Sequence, residues 1–197
     1  APQAAAGRAA PAQSQSSVTG SVPQVSPAWV ATYAARTGIP ERALTAYADA
    51  SLRAPCSVGW TTLAGIGWVE SGHGTVDGRA LQADGRPVTP IVGPVLDGRG
   101  KVAAVPQVGG GWARAEGPMQ FLPSTWSQWG ADADGDGVAD PQDLDDAAYT
   151  AARYLCASGQ DLATGAGWGA AIRTYNHSDA YVQAVYDAAT TYADRAS

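Results

Sequence analysis

The stretch Ser57-Val58-Gly59-Trp60-Thr61-Thr62-Leu63-Ala64-Gly65-Ile66-Gly67-Trp68-Val69-Glu70-Ser71-Gly72-His73-Gly74 decides the fold. Its composition predicts a helix from about Ser57 to Ser71, with Trp60, Leu63, Ala64, Gly67 and Trp68 as the buried stripe and Gly72 and Gly74 as the stop. A carboxyl, Glu70, sits at the end of this apolar run. Apolar walls favour the neutral form of a carboxyl, and the negative partial charge of a helix C-terminus pushes the same way. Both effects prepare an acid that donates a proton near neutral pH. Taken alone, the segment is equally compatible with a half-exposed glutamate at a fraying helix end.

Helical patterning continues on both sides. Ser26-Pro27 is a helix start, and the run Ala28–Thr37 stops at Gly38. Pro40-Glu41 opens a second helix carrying Leu44, Tyr47, Ala48 and Leu52 at helical spacing. Further helices are predicted over Pro123–Trp129, Leu144–Ala157, Gly167–Tyr175 and Asp179–Ala193. Residues 74–116 differ in character: Gly, Pro, Asp and Val dominate, with turn signals at Asp77-Gly78, Asp84-Gly85 and Asp97-Gly98. They read as an irregular arm with short hairpins. Residues 1–25, rich in Ala, Pro, Gln and Ser, read as a disordered leader or linker. The fold class is therefore mainly α, with one domain over residues 26–197 interrupted by the arm and by an acidic loop.

Composition excludes several functions. A net charge of −6 argues against nucleic-acid binding, and no apolar run reaches the roughly 20 residues a transmembrane segment needs. Among the 18 acids only Glu41, Glu70 and Glu116 are glutamates, so a mechanism that needs one has few candidates. Cys56 and Cys156 are the two cysteines. They are expected to form one disulfide in an oxidising compartment, the alternative being two buried free thiols. A bridge closing so long a loop contributes roughly 4.7 kcal/mol by chain entropy. No cluster with zinc-ligand spacing is present.

Two further segments carry polar chemistry. Gly117-Pro118-Met119-Gln120-Phe121-Leu122-Pro123-Ser124-Thr125-Trp126 combines a tight turn, an amide and apolar and aromatic groups, a set suited to sugar rings and also to plain helix-entry packing. Tyr175-Asn176-His177-Ser178 lies at a helix junction, where Asn176 or Ser178 can serve as a cap. In this order, Glu-Ser after a helix, Gly-Pro-Met-Gln-Phe and Tyr-Asn resemble the lytic transglycosylases with a goose-lysozyme-like catalytic domain, in particular the membrane-bound B-type branch and its secreted actinobacterial relatives. The resemblance covers about residues 27–195.

The resemblance implies a lysozyme-like helical fold and cleavage of the MurNAc–GlcNAc bond of peptidoglycan glycan strands. Glu70 would act as sole acid and base, and the muramic acid's own 6-hydroxyl would close a 1,6-anhydro ring. Ordinary glycosidases need a second carboxylate. Ser71 would hold Glu70 or the substrate, and Gln120 would bind near the cleaved bond, with Met119 and Phe121 shaping the groove. Tyr175 and Asn176 would contact the sugar at the reacting centre, and Tyr154 would line the groove. No cofactor serves the chemistry. The protein is expected to be secreted, wall-associated and monomeric. Glu116 departs from the family pattern just before the glutamine turn, where a second carboxylate would permit lysozyme-like hydrolysis. A catalytically dead wall-binding module is the non-enzymatic alternative. His73 is assigned no role.

Seven aspartates crowd residues 132–146. Asp132-Ala-Asp134-Gly-Asp136-Gly137-Val138 matches the start of an EF-hand-like calcium loop: ligands at the first, third and fifth positions, glycine at the sixth and a carbonyl at the seventh. Asp143 stands where that motif carries its closing glutamate, and the resemblance implies that Asp146 closes the site. The alternative is a solvated turn rich in helix-capping acids. A bound calcium ion would be structural.

Overall fold

The computed structural model describes residues 22–100 and 102–197. Seven α-helices account for about half of them: α1 Pro27–Thr37, α2 Glu41–Arg53, α3 Trp60–Ser71, α4 Pro123–Trp129, α5 Leu144–Ala157, α6 Gly165–Tyr175 and α7 Asp179–Ala196. The capping chemistry read from the sequence is in place. Ser26 accepts the Trp29 N–H at 3.4 Å to open α1, and Gly38 closes it in the left-handed region at φ 77°. Thr164 and Ser178 cap α6 and α7 through their side chains.

The central helix is α3, buried on every side from Trp60 to Gly67. Its buried stripe was expected to include Trp68, but that indole is 55% exposed. A helix enclosed all round has no single stripe, and Trp68 marks the point where α3 emerges. Two glycines permit the enclosure. A Cβ on Gly65 would lie 2.9 Å from the Val185 carbonyl oxygen, so α7 crosses α3 at backbone distance. The Tyr47 hydroxyl fills the space beside Gly67, 2.0 Å from where a Cβ would be. On the other side α2 packs against α5 and α3. The Cys56–Cys156 disulfide ties the segment after α2 to the last turn of α5, with Cα atoms 5.6 Å apart.

The arm forms short hairpins, as its turn signals predict, with isolated pairings Leu81–Pro87, Asp97–Ala104 and Pro106–Trp112. At its base Val92 pairs with Glu116, and Glu116 with Phe121. Most of the expected leader, residues 1–21, lies outside the described residues. Val25, at its end, is 6% exposed, and its N–H donates to Asp49 Oδ1 at 2.5 Å. Packing therefore starts just before the helix-start signal at Ser26. No helix among the described residues is long and apolar enough to cross a membrane.

Candidate active site

Glu70 sits in the last turn of α3, half-buried. Burial raises its pKa from 4.5 to about 7, against the opposing effect of the Tyr181 hydroxyl, which donates to Oε1 at 2.6 Å. No second carboxylate contributes to the shift. The shelter differs from the one read in the sequence. Trp68 points away because residues two apart on a helix do not share a face. The walls come instead from distant chain: Tyr181, in the first turn of α7, lies parallel to Tyr175 at the end of α6, with centroids 6.4 Å apart and planes at 6°. The Glu70 charge in turn raises the pKa of Tyr175, second only to burial. Tyr181 was not picked out in the sequence; only its place five residues beyond the Tyr-Asn junction hinted at it.

The glutamine turn is fastened to this pair. The Tyr175 hydroxyl donates to the Met119 carbonyl at 2.7 Å, and the Ser71 hydroxyl donates to the Pro118 carbonyl at 2.5 Å. Ser71 also accepts the Gly74 N–H at 2.8 Å and is only 3% exposed. Its expected hold on Glu70 or on substrate is thus replaced by a bracing role: a fully enclosed hydroxyl bonds to the local backbone. Met119 is completely buried beneath the turn. Gln120 adopts φ 52°, a left-handed conformation uncommon for a side-chain-bearing residue, and its Nε2 donates to the Gly117 carbonyl at 3.0 Å. Phe121 is buried edge-on to Trp126 and Tyr175, at 5.2 and 5.5 Å.

The other expected residues lie around this assembly. Tyr154 packs at 6.1 Å from Tyr175, and its hydroxyl donates to the Thr174 carbonyl at 3.0 Å. Asn176 is exposed at the α6–α7 junction, where Oδ1 accepts the Ser178 N–H at 3.1 Å, so it shapes the turn while facing solvent. The Glu116 N–H and carbonyl both pair with Phe121, each at 2.9 Å, which places this residue at the foot of the glutamine turn. Glu70, Met119, Gln120, Phe121, Tyr154 and Tyr175 are therefore drawn into one neighbourhood from α3, the turn, α5 and α6.

His73, left without a role by the sequence, braces the site from behind. It is buried at φ 62°, with Nδ1 3.1 Å from the Tyr47 hydroxyl and Nε2 2.8 Å from that of Tyr192. Burial lowers its pKa from 6.5 to about 4, so the ring is neutral at pH 7. The three side chains tie α2, the turn after α3 and α7 together close to Glu70. The positive φ, tolerated here by a buried and doubly bonded imidazole, has no clear sequence signal.

In the acidic loop, carboxylate oxygens of Asp132, Asp134 and Asp136 lie within 4.8 Å of one another, an arrangement that fits a hard cation. Val138 is exposed beside them, its N–H donating to Asp136 Oδ1 at 2.8 Å. The two closing ligands are differently employed. Asp146 accepts the Ala133 N–H at 2.6 Å and the Asp140 N–H at 2.9 Å, clasping the loop by its backbone. Asp143 is fully buried, caps α5 through the Asp145 N–H at 2.9 Å and turns Oδ2 toward Arg86 at 3.2 Å. Arg86, from the arm, also meets Asp136 and Asp140, both at 3.1 Å, while Arg42 pairs with Asp145. Two arginines against seven aspartates leave the loop strongly negative.

The helical domain thus holds a neutral-leaning carboxyl beside a cluster of aromatic side chains. Residues 98–171 match the family described as Transglycosylase SLT domain. This span is less than half of the chain; it holds the glutamine turn, the acidic loop and α5 but not Glu70. The fold is similar to that of the Escherichia coli lytic transglycosylase Slt35, solved in complex with bulgecin A. That likeness has a TM-score of 0.51 and 17% identity, covering 83% of this chain and 77% of that one. SltB3 of Pseudomonas aeruginosa, solved in complex with NAG-anhNAM-pentapeptide, gives a TM-score of 0.49 and 18% identity over 86% of this chain and 67% of that one. No curated protein sequence matches significantly. Part of the chain thus matches the transglycosylase SLT family, and the fold as a whole is similar to that of a lytic transglycosylase.

Proposed function

We propose that this peptidoglycan lytic transglycosylase cleaves the MurNAc–GlcNAc β-1,4 bond with Glu70 as its only acid and base. The observation that carries the reading is the state of Glu70: sheltered, held near a pKa of 7, and bonded to Tyr181 with no second carboxylate acting on it. A group with that pKa is protonated and deprotonated in comparable amounts near neutrality, as an acid that must turn base within one cycle requires. Glu70 as the acid gives its proton to the departing GlcNAc O4 while the MurNAc C1–O bond breaks. The electron-poor C1 is then attacked by the MurNAc 6-hydroxyl, whose proton returns to the Glu70 carboxylate. The C1–O6 bond closes the 1,6-anhydro ring, and no water is consumed. Gln120 and Asn176 offer amides to the sugar, and Tyr154 and Tyr175 supply ring faces along the groove.

Glu70→Gln tests this directly. It should abolish clearing of purified wall and release of anhydro-muropeptides, and unchanged lysis would remove Glu70 from the chemistry. Mass spectrometry of the wild-type products identifies the reaction, since hydrolysis yields muropeptides heavier by one water.

Calcium belongs to this reading as a structural ion. Asp132, Asp134 and Asp136 would hold it, with the Val138 carbonyl, and its charge would relieve the repulsion that the two arginines leave. Glycan substrate and disulfide fit a wall-associated, secreted protein, and a site built from one chain fits an active monomer.

A further inference from the structure

The arm meets the glutamine turn through one short segment, residues 91–93. On one side it pairs with residues 115–117: the Gly93 N–H donates to the Ala115 carbonyl at 2.8 Å, and the Gly117 N–H to the Ile91 carbonyl at 2.9 Å. On the other side the Gln142 carboxamide behaves like a neighbouring strand. Its Oε1 accepts the Ile91 N–H at 2.9 Å and its Nε2 donates to the Ile91 carbonyl at 3.0 Å. The segment is thereby clamped between the turn that carries Gln120 and the end of the acidic loop.

Gly93 lies directly against the Gln120 amide. A Cβ at this position would sit 2.6 Å from Gln120 Oε1 and 3.3 Å from the Ala115 carbonyl oxygen. Gly93 is not among the glycines in the left-handed region, so its backbone does not call for glycine. What the position uses is the missing side chain. The amide is bounded at both ends: Nε2 is bonded to the Gly117 carbonyl and Oε1 abuts Gly93. Of the two neighbours a methyl group would press, the Ala115 backbone is fixed by its hydrogen bond, whereas the Gln120 tip turns about soft torsions. The amide would move.

We propose that Gly93 and Gln142 are positioning residues for Gln120. Gln142 sets the height of the 91–93 segment through its two bonds to Ile91, and Gly93 leaves the space in which the Gln120 carboxamide is aimed. A side chain of the acidic loop and a glycine of the arm thus fix an amide in the glycan groove, which gives the arm's base a function. The inference rests on the reading that Gln120 touches the glycan.

A double-mutant cycle tests it, with kcat and KM measured on soluble, peptide-free glycan strands and melting temperature measured in parallel. A misplacement on the order of 1 Å costs up to about 100-fold in rate, and partial misplacement by Gly93→Ala or Gln142→Ala should lower kcat about 10-fold with KM little changed. In a Gln120→Ala background the same substitutions should have almost no further effect on kcat, because the group they position is gone. Undiminished effects in that background, or wild-type kcat in both single variants, would overturn the proposal. If Gln120→Ala alone retains wild-type kinetics, the glycan-contact reading fails and takes the positioning role with it. If Gln120→Ala is impaired while the other two act in full without it, only the positioning role fails. Should Gly93→Ala not fold, Gln142→Ala carries the same comparison.

Discussion

The shelter of Glu70 has a thermodynamic consequence that can be measured without substrate. A carboxyl whose folded pKa is about 7, against 4.5 ordinarily, prefers its neutral form by about 3 kcal/mol. Below pH 4.5 the group is protonated in both folded and unfolded chains and costs nothing. Between 4.5 and 7 the unfolded chain loses the proton first, so stability falls as pH rises. Above 7 both forms are ionised, and the native state carries the full penalty. Glu70→Gln removes the titration while leaving an acceptor for the Tyr181 hydroxyl. Relative to wild type, the variant should therefore gain about 3 kcal/mol on moving from pH 4 to pH 8. For a domain of this size that is roughly 10 °C in the difference between the two melting temperatures.

The assay is thermal unfolding of both proteins across that range, read as a difference so that every other titrating group cancels. Calorimetry at matched ionic strength is sufficient. A difference that stays constant from pH 4 to pH 8 would refute the burial argument and with it the raised pKa on which the proposed role of Glu70 as both acid and base rests. An inactive Glu70→Gln with no pH-dependent stabilisation would leave Glu70 necessary but with an ordinary pKa in the free protein.

Other outcomes follow from neighbouring features. Tyr181→Phe removes a bond that opposes the burial-driven rise of the Glu70 pKa, so the alkaline limb of the rate profile should move up by about one pH unit, as read from the rate of anhydro-muropeptide release. Removing calcium with EDTA should lower the melting temperature and restoring it should reverse the change; identical melts with and without the ion would dismiss the structural ion. Replacing both Cys56 and Cys156 by serine should lower stability by about 2–5 kcal/mol in denaturant titration, with activity kept at temperatures where the domain remains folded.

Much of the fold was legible because its signals are local. Ser26-Pro27, Gly38, Pro40, Gly72 and Pro123 punctuate helices by backbone chemistry that distant contacts rarely override, and the observed helix bounds differ from the expected ones by a few residues at most. The site was legible only where a motif named its parts. The sequence singled out Glu70 but assigned its shelter to Trp68, a neighbour along the chain, when the walls are Tyr175 and Tyr181, more than 100 residues away. Ser71 shows the same limit: its residue type admits contact with substrate, and only the packing reveals that its hydroxyl is enclosed between the Pro118 carbonyl and the Gly74 N–H. In the acidic loop the spacing located Asp132, Asp134 and Asp136, but Arg86, which takes up the free side of Asp143, lies far upstream in an arm with no periodic pattern.

His73 and Glu70 illustrate how a polar site is held in a hydrophobic domain. Both are displaced from their ordinary pKa values chiefly by burial, in opposite directions, and both toward neutrality. Between about pH 4 and 6.5 the unfolded chain protonates His73 while the folded chain does not, so this group makes stability rise with pH. Glu70 makes it fall between 4.5 and 7. The two slopes oppose each other across the shared interval, and removing the Glu70 titration leaves the histidine slope exposed. The interior around α3 therefore tolerates a half-buried carboxyl because it accepts neutral polar groups generally, provided each has hydrogen-bond partners. Tyr181 serves Glu70 in this way, and Tyr47 and Tyr192 serve His73. At Glu70 that suppressed charge is the feature on which the proposed acid–base role rests.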